Sequence, residues 1–228
     1  MATRAGKAAF RSIRRAPATF LWLLVLTVTA YLITRVNPHF RGHFLRQRST
    51  NLHELSRNPI RVLISSAVWI DGGGLWVYYI LYVVFHAPVE RTIGTLRWFA
   101  VVAAAHVGAT YLSEGVVYWE VNRGYLPGSA VYTLDIGVSY ALAGAEAVLA
   151  YLIAKPWCYF YAGVLIIYYG YHLIAGNGFT DLGHFSALMI GFACSPLTVD
   201  HQGVWDPWAI WNEARRRVAA YRAGDPGT

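Results

Sequence analysis

Six apolar runs dominate this chain, at 18–36, 74–89, 98–119, 134–154, 157–174 and 181–197. A bilayer core of about 30 Å is crossed by roughly 20 helical residues, within a range of about 17 to 25. The second and sixth runs are the shortest and must cross with little tilt or lean on neighbours. Backbone immersed in lipid has to close its hydrogen bonds within its own segment, so each run reads as a helix. Only 14% of the 228 residues are charged and 56% are hydrophobic, whereas a soluble domain carries about 25% charged residues. Lipid is therefore the expected solvent for most of the chain.

The formal charge of +7 would suit a nucleic-acid partner only if the basic residues formed a stripe on a soluble module. They flank the apolar runs instead, which argues for topology and against nucleic acid. Arg4, Lys7, Arg11, Arg14, Arg15, Arg91, Arg97, Lys155, Arg215, Arg216, Arg217 and Arg222 fall on one side, 12 of the 19. The positive-inside rule then puts both termini in the cytoplasm, with the plasma membrane as the expected location, and an even number of crossings agrees. Arg35, Arg41, Arg46, Arg48, Arg57 and Arg61 oppose that bias from the first outer loop. A basic arm ahead of Val28-Thr29-Ala30 also mimics a signal peptide, but Tyr31, Leu32 and Ile33 continue the run and favour a retained helix.

Three parts follow: a basic arm at 1–17, a membrane domain at 18–197 and a tail at 198–228. The loop at 37–71 mixes basic residues with Phe40, Phe44, Leu45, Leu52 and Leu55, a composition for short helices half embedded in the outer leaflet. In the tail, Asp206-Pro207 starts a helix. Trp205, Trp208 and Trp211 followed by Arg215, Arg216 and Arg217 suit an interfacial helix on anionic lipid. Cys158 and Cys194 read as small apolar residues, and no metal or cofactor is expected.

Polar groups within membrane helices are costly and mark function. They are His106, Glu114, Asp135, Ser139, Glu146, His172, Asp181 and His184. Thr133-Leu134-Asp135-Ile136-Gly137-Val138-Ser139 opens the fourth run and Thr180-Asp181-Leu182-Gly183-His184 the sixth. In each, a threonine is placed to cap the helix and an aspartate to sit in its first turn. Counted at 1.5 Å per residue, Ser139 and His184 differ in depth by about 3 Å. Gly183, Ala187, Gly191 and Ser195 on one helix, and Gly137, Ala141 and Ala145 on the other, have the four-residue spacing that lets membrane helices approach closely.

Gly137-Val138-Ser139, the later His184-x-x-Ala187-x-x-x-Gly191, and Glu90-Arg91-x-x-Gly94-Thr95-x-Arg97-Trp98 occur in the order found in the rhomboid family of intramembrane serine proteases, which the chain resembles. Arg61 ahead of Ser65 and Ser66 resembles the end of that family's embedded first loop. The resemblance implies an all-α membrane protein, a six-transmembrane-helix rhomboid-like bundle with a membrane-embedded first loop. It implies Ser139 as nucleophile and His184 as base, with Gly137 and the Ser139 amide at the oxyanion. Single-span membrane proteins would be its substrates.

The chain departs from the family at Tyr140, where the motif has a second glycine, and at Ala143, where many members have a tyrosine packed on the histidine. The second helix lacks the family's histidine and asparagine, whose places fall near Gly74 or Leu75 and Tyr78 or Tyr79. Losing an oxyanion donor typically costs about 100 to 1,000-fold in rate, which keeps a catalytically inactive relative that binds or escorts membrane proteins as the alternative.

Structural roles compete at each position. Ser139 can bond its own helix one turn back, and His184 can serve as a bond between helices. Asp135 and Asp181 read as helix-start residues. Glu146 is expected to pair with His106 or a tyrosine, Glu114 and His172 to lie nearer water, and His86 to lie too far from Ser139 to take part. The acids and histidines would also suit a proton or ion path, but no inverted repeat or pair of broken helices is visible in support.

Overall fold

The structure, a computed structural model, describes residues 12–70, 74–176 and 178–222. Arg4, Lys7 and Arg11 of the basic arm, Asp71 at the end of the first loop and residues 223–228 lie outside the described residues. A helix occupies each of the six apolar runs. In chain order the helices are α1 (Pro17–Arg35), α2 (Pro38–Arg46), α3 (Leu52–Arg57), α4 (Pro59–Ser66), α5 (Leu75–Leu81), α6 (Ala87–Ile93) and α7 (Thr95–Asn122), followed by α8 (Val138–Leu152), α9 (Trp157–Ala175), α10 (Phe179–Ala193) and α11 (Pro207–Arg222). A π-helical turn, Tyr82–His86, joins α5 to α6, and a 3₁₀ turn, Ser195–His201, follows α10.

Among the described residues α1, α7 and α9 are each long and apolar enough to cross a membrane, and α10 with its 3₁₀ turn, bent by 48°, makes a fourth candidate. The 15 residues of α8 fall short of that length, and 13 of them are buried. A helix walled by protein need not match the bilayer, because neighbouring side chains stand where lipid would be. α9 is the converse, with Ile167, Tyr171 and Ile174 exposed along it.

The core is built around α8. Ala141, Ala145 and Val148 pack with Val101 and Val102 of α7 and Val89 and Ile93 of α6. Ala143 and Ala147 pack with Ala105 and Ala109 of α7 and with Ala187 and Leu188 of α10. At the crossing of α8 and α10, a Cβ added to Gly191 would stand 2.6 Å from the Gly144 carbonyl oxygen and 2.7 Å from the Ala147 methyl. Gly183, Ala187 and Gly191 are buried on α10, as their spacing predicts. On α8, however, the face toward α10 is Tyr140, Ala143, Gly144 and Ala147 rather than Gly137, Ala141 and Ala145. The latter turn toward α6 and α7, because this helix is nearly surrounded and carries small residues on more than one side.

Glu90 ties three elements together. Its carboxylate accepts the amides of Ala18 at 3.0 Å and Thr19 at 2.7 Å, both at the start of α1, and the Thr95 hydroxyl at 2.8 Å at the start of α7. A carboxylate at a helix N-terminus satisfies free amides and complements the dipole. Gly94 adopts φ +87° between α6 and α7, a conformation glycine takes without steric cost.

The first loop folds into α2, α3 and α4. Asn37 and Asn51 cap α2 and α3, and the Arg48 guanidinium stands 3.5 Å over the Phe44 ring. α1 anchors the end of this loop through Trp22 Nε1 to the Ala67 carbonyl and Thr29 Oγ1 to the Val68 carbonyl, both at 2.7 Å. In the tail, Asp206 caps α11 as its sequence predicts, accepting the Trp208 amide at 2.9 Å. Trp205 is not on that helix. Its amide donates to the Leu152 carbonyl and its carbonyl accepts from Ala154, both at 2.8 Å, so pairing with the end of α8 holds it extended.

Candidate active site

α8 begins at Val138, with Gly137 at its N-cap, four residues later than the apolar run suggests. The segment before it is held extended by the first loop. The Asp135 amide donates to Ser49 Oγ at 2.7 Å, Thr50 donates its amide to the Asp135 carbonyl at 3.0 Å, and Thr50 Oγ1 donates to Asp135 Oδ2 at 3.0 Å. Asp135 is therefore not a first-turn residue and Thr133 is not the cap, since bonds from 85 residues away outcompete the local start signal. On α10 the cap is Gly178, Thr180 lies inside the helix, and Asp181 occupies the first turn as expected.

The late start puts Ser139 second in α8, at the amide-rich positive end of the helix. His184 stands on the second turn of α10, and its Nε2 is 2.8 Å from Ser139 Oγ. The competing bond from Ser139 to the Ile136 carbonyl is 3.5 Å, so the histidine is the nearer partner. Both side chains are half-buried. Two helices that begin on the same side and touch through glycine and alanine bring a serine and a histidine of matched depth together.

Tyr140 occupies the place of the motif's second glycine, yet it provides what Ala143 cannot. Its ring meets the His184 ring edge-on, with centroids 5.1 Å apart, and its hydroxyl donates to Asp135 Oδ1 at 3.0 Å. Gly183 makes room for it, since a Cβ there would collide with the Tyr140 phenol. A run of contacts thus leads from Thr50 in the first loop through Asp135 and Tyr140 to His184. The sequence signal for this was the tyrosine beside the candidate nucleophile, read there as a departure.

Gly137 is needed for a different close approach: a Cβ there would overlap the His106 ring. His106 is committed to the first loop, with Nε2 3.0 Å from the Leu63 carbonyl and 3.3 Å from Ser66 Oγ. It does not pair with Glu146, whose carboxylate instead accepts from the Tyr169 hydroxyl at 2.6 Å, the tyrosine alternative. Glu114 is buried, 2% exposed, rather than lying toward water, because the first loop and the segment before α8 cover it. His172 is exposed as expected. His86 lies buried between Tyr82, Trp22 and Trp98 and accepts from Trp98 Nε1 at 3.1 Å, so its contacts are with these rings.

Along the second apolar run, Tyr78 and Tyr82 turn inward, and Tyr82 shares a core cluster with Val138, the residue before Ser139. Tyrosines therefore face the core from the run where a histidine and an asparagine were sought. Among the described residues no group of three or more His, Cys, Asp or Glu is placed to hold a metal. What the arrangement offers is a hydroxyl, an imidazole and a helix N-terminus within one hydrogen-bonded cluster.

Comparison with curated proteins and with solved structures gives no match. A family model described as rhomboid-like protein matches residues 11–204, most of the chain. The order of motifs, the helical architecture and this match agree, and the chain belongs to the rhomboid-like protein family, as an integral membrane protein.

Proposed function

We propose that this protein is an intramembrane serine protease that cleaves single-span membrane proteins near the outer surface, with Ser139 as nucleophile and His184 as base. The observation that carries the reading is the 2.8 Å separation of Ser139 Oγ and His184 Nε2, hydrogen-bond reach for a nucleophile and its base. Ser139 Oγ attacks the scissile carbonyl carbon as Nε2 takes its proton. The oxyanion that forms lies over the start of α8, where the first amides have no acceptor within the helix, so the Ser139 N–H donates to it. Collapse breaks the C–N bond and His184 protonates the leaving amine. Water, deprotonated by the same imidazole, then hydrolyses the ester and restores the hydroxyl. Tyr140, whose ring meets the imidazole edge-on, fixes its plane. The basic flanks support an orientation with both termini in the cytoplasm.

The second reading is a non-catalytic relative that binds or escorts membrane proteins, favoured by the tyrosines in place of a histidine and asparagine on the second apolar run. Labelling of detergent-solubilised protein with a fluorophosphonate separates the two. The protease reading expects covalent labelling of the wild type that is lost in both Ser139→Ala and His184→Ala. Absence of labelling under conditions that label an active rhomboid protease sinks it and leaves the binding role.

A further inference from the structure

Ser139 stands at one end of α8, and a separate cavity lies at the other. There the ends of α8 and α10, the start of α9 and the strand-like segment after the 3₁₀ turn enclose about 720 Å³, within the range of about 300 to 1,000 Å³ of small-molecule sites. Its walls are apolar, with Ala162 and Ile166 from α9 and Phe192 from α10, whereas Lys155 and Gln202 line it with exposed polar ends. The tail forms a fixed border: Gly203 donates to the Tyr151 carbonyl at 3.0 Å, and Trp205 is bonded on both sides to the end of α8.

The surroundings give the level of this cavity in the membrane. Trp157, Tyr159 and Trp208 are exposed at this end, and the Arg91 guanidinium stands 5.4 Å over the Trp205 ring. Tryptophan and tyrosine collect at the headgroup level. Lys155 Nζ lies 5.9 Å from the Tyr159 ring, and the ion pairs seen among the described residues do not include it. Ile166 is 46% exposed, an apolar opening on α9 that suits acyl chains better than water.

We propose that this cavity binds an anionic phospholipid. One acyl chain lies against Ala162, Ile166 and Phe192, and the phosphate meets the Lys155 ammonium with the Gln202 carboxamide beside it. Basic pockets between membrane helices at the headgroup level hold lipids of this charge. A soluble anion would not use the apolar wall, and a zwitterionic lipid would bring its own ammonium beside the lysine, offsetting the attraction of its phosphate.

The test uses the full chain equilibrated in vesicles of equal phosphatidylglycerol and phosphatidylcholine, with retained lipids counted by native mass spectrometry. Wild type is expected to retain phosphatidylglycerol over phosphatidylcholine by about fivefold, the scale of one basic residue at a charged surface. Lys155→Ala is expected to abolish that preference and Lys155→Arg to keep it, while Ala162→Trp lowers retention of both lipids. Equal retention by wild type, or a preference that survives Lys155→Ala, overturns the proposal. Fluorophosphonate labelling does not enter this readout, so the lipid site stands or falls independently of the protease reading.

Discussion

At Tyr140 one side chain meets three demands: its ring stands against His184, its hydroxyl satisfies Asp135, and its bulk fills the space Gly183 leaves open. These demands separate by substitution. Tyr140→Phe keeps the ring and leaves Asp135 Oδ1 without its donor, an expected loss of about 1–3 kcal/mol in denaturant unfolding, with fluorophosphonate labelling retained. Tyr140→Ala removes the ring as well, with an expected loss of about 3–5 kcal/mol and of labelling. Labelling of Tyr140→Ala at the wild-type rate would show that the ring does not hold the imidazole. Ser139 and His184 were legible in the sequence because each is a polar residue near the same end of an apolar run, although α8 starts later than the count assumed. The partners of Asp135 were not, because Ser49 and Thr50 reach it across 86 and 85 residues.

At the scale of elements, contact between α8 and α10 sets the distance from serine to histidine. Gly191→Ala drives a methyl toward the Gly144 carbonyl, a backbone atom that yields only if the helices part. The expected cost is about 1–3 kcal/mol in unfolding, with slower labelling as Ser139 and His184 separate. Gly163→Ala on α9, where an added Cβ meets nothing within 4 Å, is the matched control and should leave both measurements near wild type. That small residues at four-residue spacing would meet was readable on α10. Which of the small faces of α8 they would meet was not, because an almost fully buried helix has no polar side to orient it. The π-helical turn at Tyr82–His86 was likewise absent from the apolar pattern, since a single wide turn leaves hydropathy unchanged.

For the whole molecule, Glu90 joins α1 to the bundle. Glu90→Ala leaves the amides of Ala18 and Thr19 and the Thr95 hydroxyl without their acceptor at once. The expected loss is about 3 kcal/mol or more, given about 1.5–3 kcal/mol for a hydrogen bond to a charged group, and limited proteolysis should cut faster near residue 36. Glu90→Gln keeps an acceptor and is expected to lose less. Unchanged stability in Glu90→Ala would mean that packing alone holds α1. The bundle is also asymmetric between its ends: the end with Ser139 is covered by the short helices of the first loop, whereas at the end with Lys155 the segment before α11 pairs with the end of α8.

Hydropathy by itself determined that this chain lives in lipid and which runs of it are helical, because burying backbone in a bilayer leaves few alternatives to long apolar helices. It also put the serine and the histidine near the same end of their helices, although the residue count began from a start of α8 that the structure moves to Val138. Tertiary structure decided where α8 begins, that Tyr140 rather than a residue at 143 supports His184, and that Trp205 leaves the tail helix to pair with α8. Each of those depends on contacts between residues far apart in sequence, and neither helical period nor local start signals carry information about them.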